Sequence, residues 1–135
     1  MIDIENELYT VIATKLRSDF TGITIYSSES TTIEETFPVV TIIEQNNSIR
    51  QSTATTDDYE NHADLMYQVD VYSNKVSGKK SECKKIMKVI DDIFHSFNFK
   101  RTMMQPIPNL ADRTIYRLTA TYTAVVSKEK IIYRS

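Results

Sequence analysis

Only two glycines, three prolines, two histidines and one cysteine occur in these 135 residues. No apolar run approaches the roughly 20 residues needed to span a bilayer. The lone Cys83 excludes an intrachain disulfide and any thiolate cluster supplied by one copy. Its place on the apolar side of a helical stretch reads as a small buried hydrophobe, not a nucleophile. With so few glycines, the basic-aromatic-glycine signature of an RNA-recognition sheet cannot be assembled, so Tyr59, Tyr67, Tyr72 and Tyr122 read as residues that fill sheet faces. A phosphate loop fails at two positions. In Val76–Ser81, VSGKKS, the places of the first glycine and of the final Ser or Thr hold Ser73 and Lys80. The acidic N-terminal stretch MIDIENELY has the wrong charge for a secretory signal, and the chain is expected to fold in the cytoplasm of the cell that makes it.

What is present is ordinary globular material, 41% hydrophobic and 25% charged, and the length suits one domain over 1–135 that buries about two thirds of its unfolded surface. The net charge of −2 conceals a division. Met1 to Asp64 carries twelve carboxylates against Lys15, Arg17 and Arg50, a net of −9, whereas Leu65 to Ser135 carries thirteen Lys or Arg against six carboxylates, a net of +7. The molecule is electrically two-faced if these halves separate in space, and evenly mixed if a sheet interleaves them.

Apolar spacing predicts a first helix over Ile4–Ser18, with Ile4, Leu8, Val11, Ile12 and Leu16 on one face. Asp3 can cap it, Glu5 and Glu7 oppose the positive end of its dipole, Lys15 and Arg17 the negative end, and Gly22 follows its exit. A short strand at Ile23–Ser27 precedes PVVTIIE from Pro38, whose apolarity on both faces predicts a central strand. Gln45 to His62 is polar and aperiodic and reads as a long loop or protruding arm. Ala63–Asn74 alternates as a half-exposed strand. Lys79–Phe97 then forms a second helix, with Cys83, Ile86, Met87, Ile90, Ile93, Phe94 and Phe97 as its apolar stripe. A strand near Phe99–Met104 is held to an edge or turn by Pro106 and Pro108. From Thr114 a long strand puts Tyr116, Leu118, Ala120, Tyr122, Ala124 and Val126 on its core face, and Ile131–Tyr133 closes the chain. The order is αβββαβββ, an α+β fold with a mixed, mostly antiparallel sheet and both helices on one face.

Few residues suggest chemistry. Asp57, Asp58, Glu60 and Asp64 with His62 could ligate a divalent ion, but they follow no calcium-loop spacing and read as a solvated acidic loop. His95 lies on a polar helix face without a serine or cysteine partner in any recognisable motif. No cofactor and no catalytic set is expected. The anomaly is electrostatic: Lys79, Lys80, Lys84 and Lys85 open the second helix, Lys88 follows, and Asp91 and Asp92 come later, the reverse of what the dipole favours. Two readings stay open. Pairs such as Glu82 with Lys85 and Lys88 with Asp92 would make a solvated face, or the basic end meets an anion on another copy or on DNA.

The strand ADLMYQVDVYSN, the lysine-rich helix and MMQPIPNLADRTIYRLTATYTAVV, with its Pro-x-Pro-Asn-Leu turn, resemble in that order the small tail-terminator or tail-completion proteins of long-tailed bacteriophages. The likeness covers Asn61 to the C-terminus and extends more loosely to the N-terminal helix and first strands. It implies a non-enzymatic virion protein at the head-proximal end of the tail, typically a sixfold ring that caps the tail tube and receives the head connector. Its partners would be further copies of itself, the major tail tube protein and a head-completion protein, with DNA only as passing cargo and no membrane. A head-completion or connector adaptor shares the ring habit. A small nucleic-acid-binding regulator would explain the lysines but not the acidic half. Charge and loop length then suggest Lys79, Lys80, Lys84, Lys85 and Lys88 for subunit contacts, and Ile49, Arg50 and Tyr59 for the tube.

Overall fold

The computed structural model describes residues 3–27, 37–49, 62–107, 115–127 and 132–133. Helix α1 spans Glu5–Asp19. Asp3 Oδ1 accepts the Glu5 N–H at 3.0 Å, which satisfies one of the amides that a helix start leaves open. At the other end the Phe20 N–H donates to the Leu16 carbonyl, and Gly22, at φ 80, turns the chain into β1, Thr24–Tyr26. Ile4, Leu8, Ile12, Ala13 and Leu16 are buried, but Val11 is 42% exposed and does not belong to the core face assigned to it by spacing. The buried face runs through Leu8, Ile12 and Leu16 and widens toward Ala13, and Val11 stands about 100° from Ile12 on the other side.

Strands β2 (Val39–Ile49) and β3 (His62–Ser73), helix α2 (Lys79–Ser96), and strands β4 (Lys100–Pro106), β5 (Tyr116–Ser127) and β6 (Ile132–Tyr133) complete the order αβββαβββ. The sheet runs β1-β2-β3-β5-β4, with β6 also pairing to β5. Among the described strands only β1 and β2 pair in parallel. The strand beginning PVVTIIE is therefore interior, as its apolarity predicts, and β4, which ends at Pro106, is an edge. Pro108 lies outside the described residues.

The expected loop from Gln45 to His62 needs correction at both ends. Beyond an irregularity between Glu44 and Asn46, Asn46, Asn47, Ser48 and Ile49 pair with Met66, Leu65, Asp64 and Ala63, and His62 already belongs to β3. Composition missed these pairs because ladder hydrogen bonds use the backbone, which every one of these polar residues supplies. Positions 50–61 lie outside the described residues.

Both helices pack on one sheet face. Leu65, Tyr67, Val69 and Val71 of β3 and Leu118, Ala120, Tyr122, Ala124 and Val126 of β5 are buried beneath them, in one cluster with Cys83, Ile86, Met87, Ile90 and Phe94 of α2. Ile93, Phe97 and Tyr116, expected on core faces, are only partly buried at its margin. Four rings lock α2 to the sheet. Phe94 stacks on Tyr122 at 4.1 Å between centroids and 2° between planes, and meets Phe99 edge-on at 5.2 Å. Tyr67 lies 5.7 Å from Phe99 and 6.1 Å from Phe94. Helix α2 runs antiparallel to β3: Cys83 sits by Val71 near the strand's end, and Phe94 by Tyr67 nearer its start.

Phe94→Ala is expected to cost about 3–5 kcal/mol, because it opens a cavity at the centre of the ring cluster. Phe94→Leu should cost less. Denaturant unfolding of the two variants and wild type checks the order; equal stability of Phe94→Ala and wild type would mean that α2 is held elsewhere.

Candidate functional site

Helix α2 turns its unburied side outward, and that side is basic. Lys80, Lys84 and Lys88 follow one another at intervals of four with Ser81 and Lys85 alongside, and with Gly78 they line an open depression of about 540 Å³. Its walls are largely the methylene stems of the lysines, which leave the ammonium groups free to reach a ligand. Lys79 stands half-buried at the first helical position. Gly78, at φ 84, offers no capping side chain, and Glu82 is the single acidic residue of the first turn. The positive end of the dipole thus carries more positive charge.

The local pairs that would neutralise this face do not form among the described residues. Ion pairs form instead between Lys15 and Asp19, Arg101 and Asp91, and Arg117 and Asp70. Glu82 instead accepts from Ser73 Oγ at 2.7 Å, and Asp91 accepts from Tyr122 Oη at 2.9 Å and Arg101 at 3.4 Å. All five lysines assigned to subunit contact are therefore grouped on one helix, without a partner among the described carboxylates.

An acidic group gathers at the start of α1. Burial pushes the Glu5 carboxyl up, and the negative charge of Asp3 pushes it further. Burial likewise raises Glu44, against the stabilising hydroxyl of Tyr67, which donates to Glu44 Oε1 at 3.2 Å; Glu5 and Asp3 add repulsion. The sheet does not interleave the two halves of the chain. Strands β1 and β2 occupy one side of β3, and β5, β4 and β6 the other. Helix α1 is tied to β1 by Tyr9 Oη, which donates to the Ile25 carbonyl at 2.9 Å.

The residues assigned to the tail tube are not brought together by what is described. Ile49 ends β2 opposite Ala63, while Arg50 and Tyr59 lie outside the described residues, as do Asp57, Asp58 and Glu60. His62 and Asp64 sit two apart on β3. Among the described residues no three of His, Cys, Asp and Glu are placed to hold a metal ion. His95 is exposed and, with Asp91, Phe99, Arg101 and Tyr122, borders a cleft of about 210 Å³. Cys83 is buried, its thiol directed to the carbonyls of Val71 and Tyr116, and desolvation pushes its pKa up to about 12.

One cluster escaped the sequence. On the sheet face away from the helices, Asp70 is 2% exposed. It binds Arg117 Nε at 2.9 Å and Gln68 Nε2 at 2.9 Å and accepts a short hydrogen bond from the Thr119 hydroxyl. The Arg117 guanidinium also lies 5.5 Å from the centre of the Tyr72 ring. Alternation alone marked Asp70 and Arg117 as solvent-facing; a lone carboxylate amid apolar and aromatic strand residues was the available signal.

A carboxyl with a native pKa above its unfolded value costs stability once pH rises through the carboxylate range, and nothing below it. Glu44→Gln, which keeps a carbonyl for Tyr67, should therefore be more stable than wild type at about pH 7, with the difference gone by about pH 4. Thermal midpoints across that range check this, and a pH-independent difference would contradict it. No protein-family model matches the chain, and a search of curated proteins finds no match.

Proposed function

We propose that this chain is a non-enzymatic structural protein of a phage virion: the terminator that caps the tail tube as a ring, ends tube polymerisation and presents the surface to which the head docks. The observation that carries the reading is the α2 lysine face, unpaired among the described residues and set on a sheet that puts β1 and β2 on one side of β3 and β5, β4 and β6 on the other. A ring repeats one heterologous contact, so each subunit must carry both members of a complementary pair of surfaces. Opposite charges orient such a contact and suppress wrong pairings even where they add little affinity.

In this reading Lys79, Lys80, Lys84, Lys85 and Lys88 face carboxylates of the next subunit in a ring of six. The end of the β2 strand at Ile49, with Arg50 and Tyr59 beyond it, reaches the major tail tube protein. The connector or head-completion protein binds the free face of the ring. The order of strand, lysine-rich helix and long Thr/Tyr strand that resembles tail terminators is the order of β3, α2 and β5. Among the described residues no helix is long and apolar enough to cross a membrane.

Reversing Lys84 and Lys85 together to Glu is expected to leave the unfolding midpoint within a few degrees of wild type, since both are exposed, and to weaken assembly at least tenfold. Sedimentation at about 50 and 150 mM salt, alone and with tail-tube ends, reads the effect. An unchanged oligomer at both concentrations would reduce the stripe to a solvated face. Salt-sensitive binding to duplex DNA that the reversal abolishes, with no oligomer, would move the function to nucleic-acid regulation.

A further inference from the structure

Two large apolar side chains stand out into water among the described residues, Val11 at 42% exposure and Val76 at 101%. Val76 occupies the turn between β3 and α2, and that turn is anchored at its base. Ser73 Oγ accepts the Lys75 N–H at 3.3 Å and donates to Glu82 Oε1 at 2.7 Å, while the Gly78 carbonyl accepts the Glu82 N–H at 2.9 Å. The turn is thus tied to both elements it joins, and it holds an apolar knob out into solvent. Lys75 precedes the knob, and Lys79 and Lys80 follow it within four residues at the start of α2.

Val11 has the complementary setting. It lies on the solvent side of α1, one turn after Glu7, and the helix before it begins with Asp3 and Glu5. The cation one turn on, Lys15, is held by Asp19 at 3.3 Å. The first turn of α1, with Glu5 and Glu7 ahead of the exposed Val11, is opposite in charge to the lysines on either side of Val76, and both places present an exposed valine.

We propose that the Val76 turn of one copy docks on α1 of the next copy around Val11 and Glu7, with Lys75, Lys79 and Lys80 facing its acidic first turns. This contact rests on the ring reading above and names its head-to-tail partner surfaces. In the ring reading this contact repeats head to tail, the knob of each copy meeting α1 of the next, whereas a two-fold dimer would make the same contact twice and stop at two copies.

Cysteine cross-linking tests the pairing, because the native thiol of Cys83 is buried and held in its protonated form. Val11→Cys protein mixed with Val76→Cys protein under mild oxidation should give a disulfide-linked dimer, and neither should do so alone. Val76→Asp should weaken self-association at least tenfold with an unchanged thermal midpoint. A Val76→Cys chain that links to itself would show a two-fold contact and overturn the proposal. Wild-type oligomers with no Val11–Val76 cross-link would overturn this pairing and leave the ring standing. A chain that sediments as a monomer at every concentration, alone and with tail-tube ends, would remove both.

Discussion

The stacking of Phe94 on Tyr122 is the contact on which the rest of the molecule depends. It joins α2 to the centre of β5, and through Tyr67 and Phe99 it reaches β3 and the start of β4. Each tyrosine buries its ring and sends its hydroxyl to a carboxylate: Tyr122 to Asp91 on the helix itself, Tyr67 to Glu44 on β2. The cluster therefore binds helix to sheet with large apolar area and places polar tips where they find acceptors. Burial and the adjacent carboxylates raise the pKa of both phenols, so they remain donors through the neutral range.

Docking of this strength explains how α2 tolerates its charges. A helix that begins Lys-Lys and ends near Asp-Asp opposes its own dipole and would be a poor helix in isolation. Ile86, Met87, Ile90 and Phe94, all buried, supply more than that penalty, at roughly 1.5–3 kcal/mol for each large side chain against about 0.3–1 for each misplaced charge. The helix therefore holds without local pairing of its lysines among the described residues. Near the start of α1, burial first and then the charges of neighbouring carboxylates raise the Glu5 and Glu44 carboxyls.

The helix-free face follows a different rule. Asp70 is removed from water there, and Arg117, Gln68 and Thr119 supply the partners that a buried carboxylate requires. The three come from two neighbouring strands, so the network also holds β3 and β5 in register. Truncating Arg117 would leave Asp70 without its cation, whereas changing an exposed lysine of α2 leaves nothing buried and uncompensated.

Much of the fold was legible in the residues themselves. The period of four in Ile4, Leu8, Ile12 and Leu16, the stripe from Cys83 to Phe94, and the alternation of Leu65 to Val71 and Leu118 to Val126 each specify a local element and the face it buries, because side-chain direction follows backbone geometry residue by residue. Sequence also determined that the two halves differ in charge, and that Lys80, Lys84 and Lys88 share a helix face. Only tertiary structure decided which strands are neighbours. The β1-β2-β3-β5-β4 order puts β1 and β2 on one side of β3 and the later strands on the other, cross-strand register sets Asp70 against Thr119, and Gln45–Ile49 is strand because β3 lies beside it. The exposure of Val11 belongs to the same class, since it depends on how α1 is rotated against the sheet. These are relations between residues distant along the chain, fixed by shared backbone hydrogen bonds and packing, and no local period encodes them.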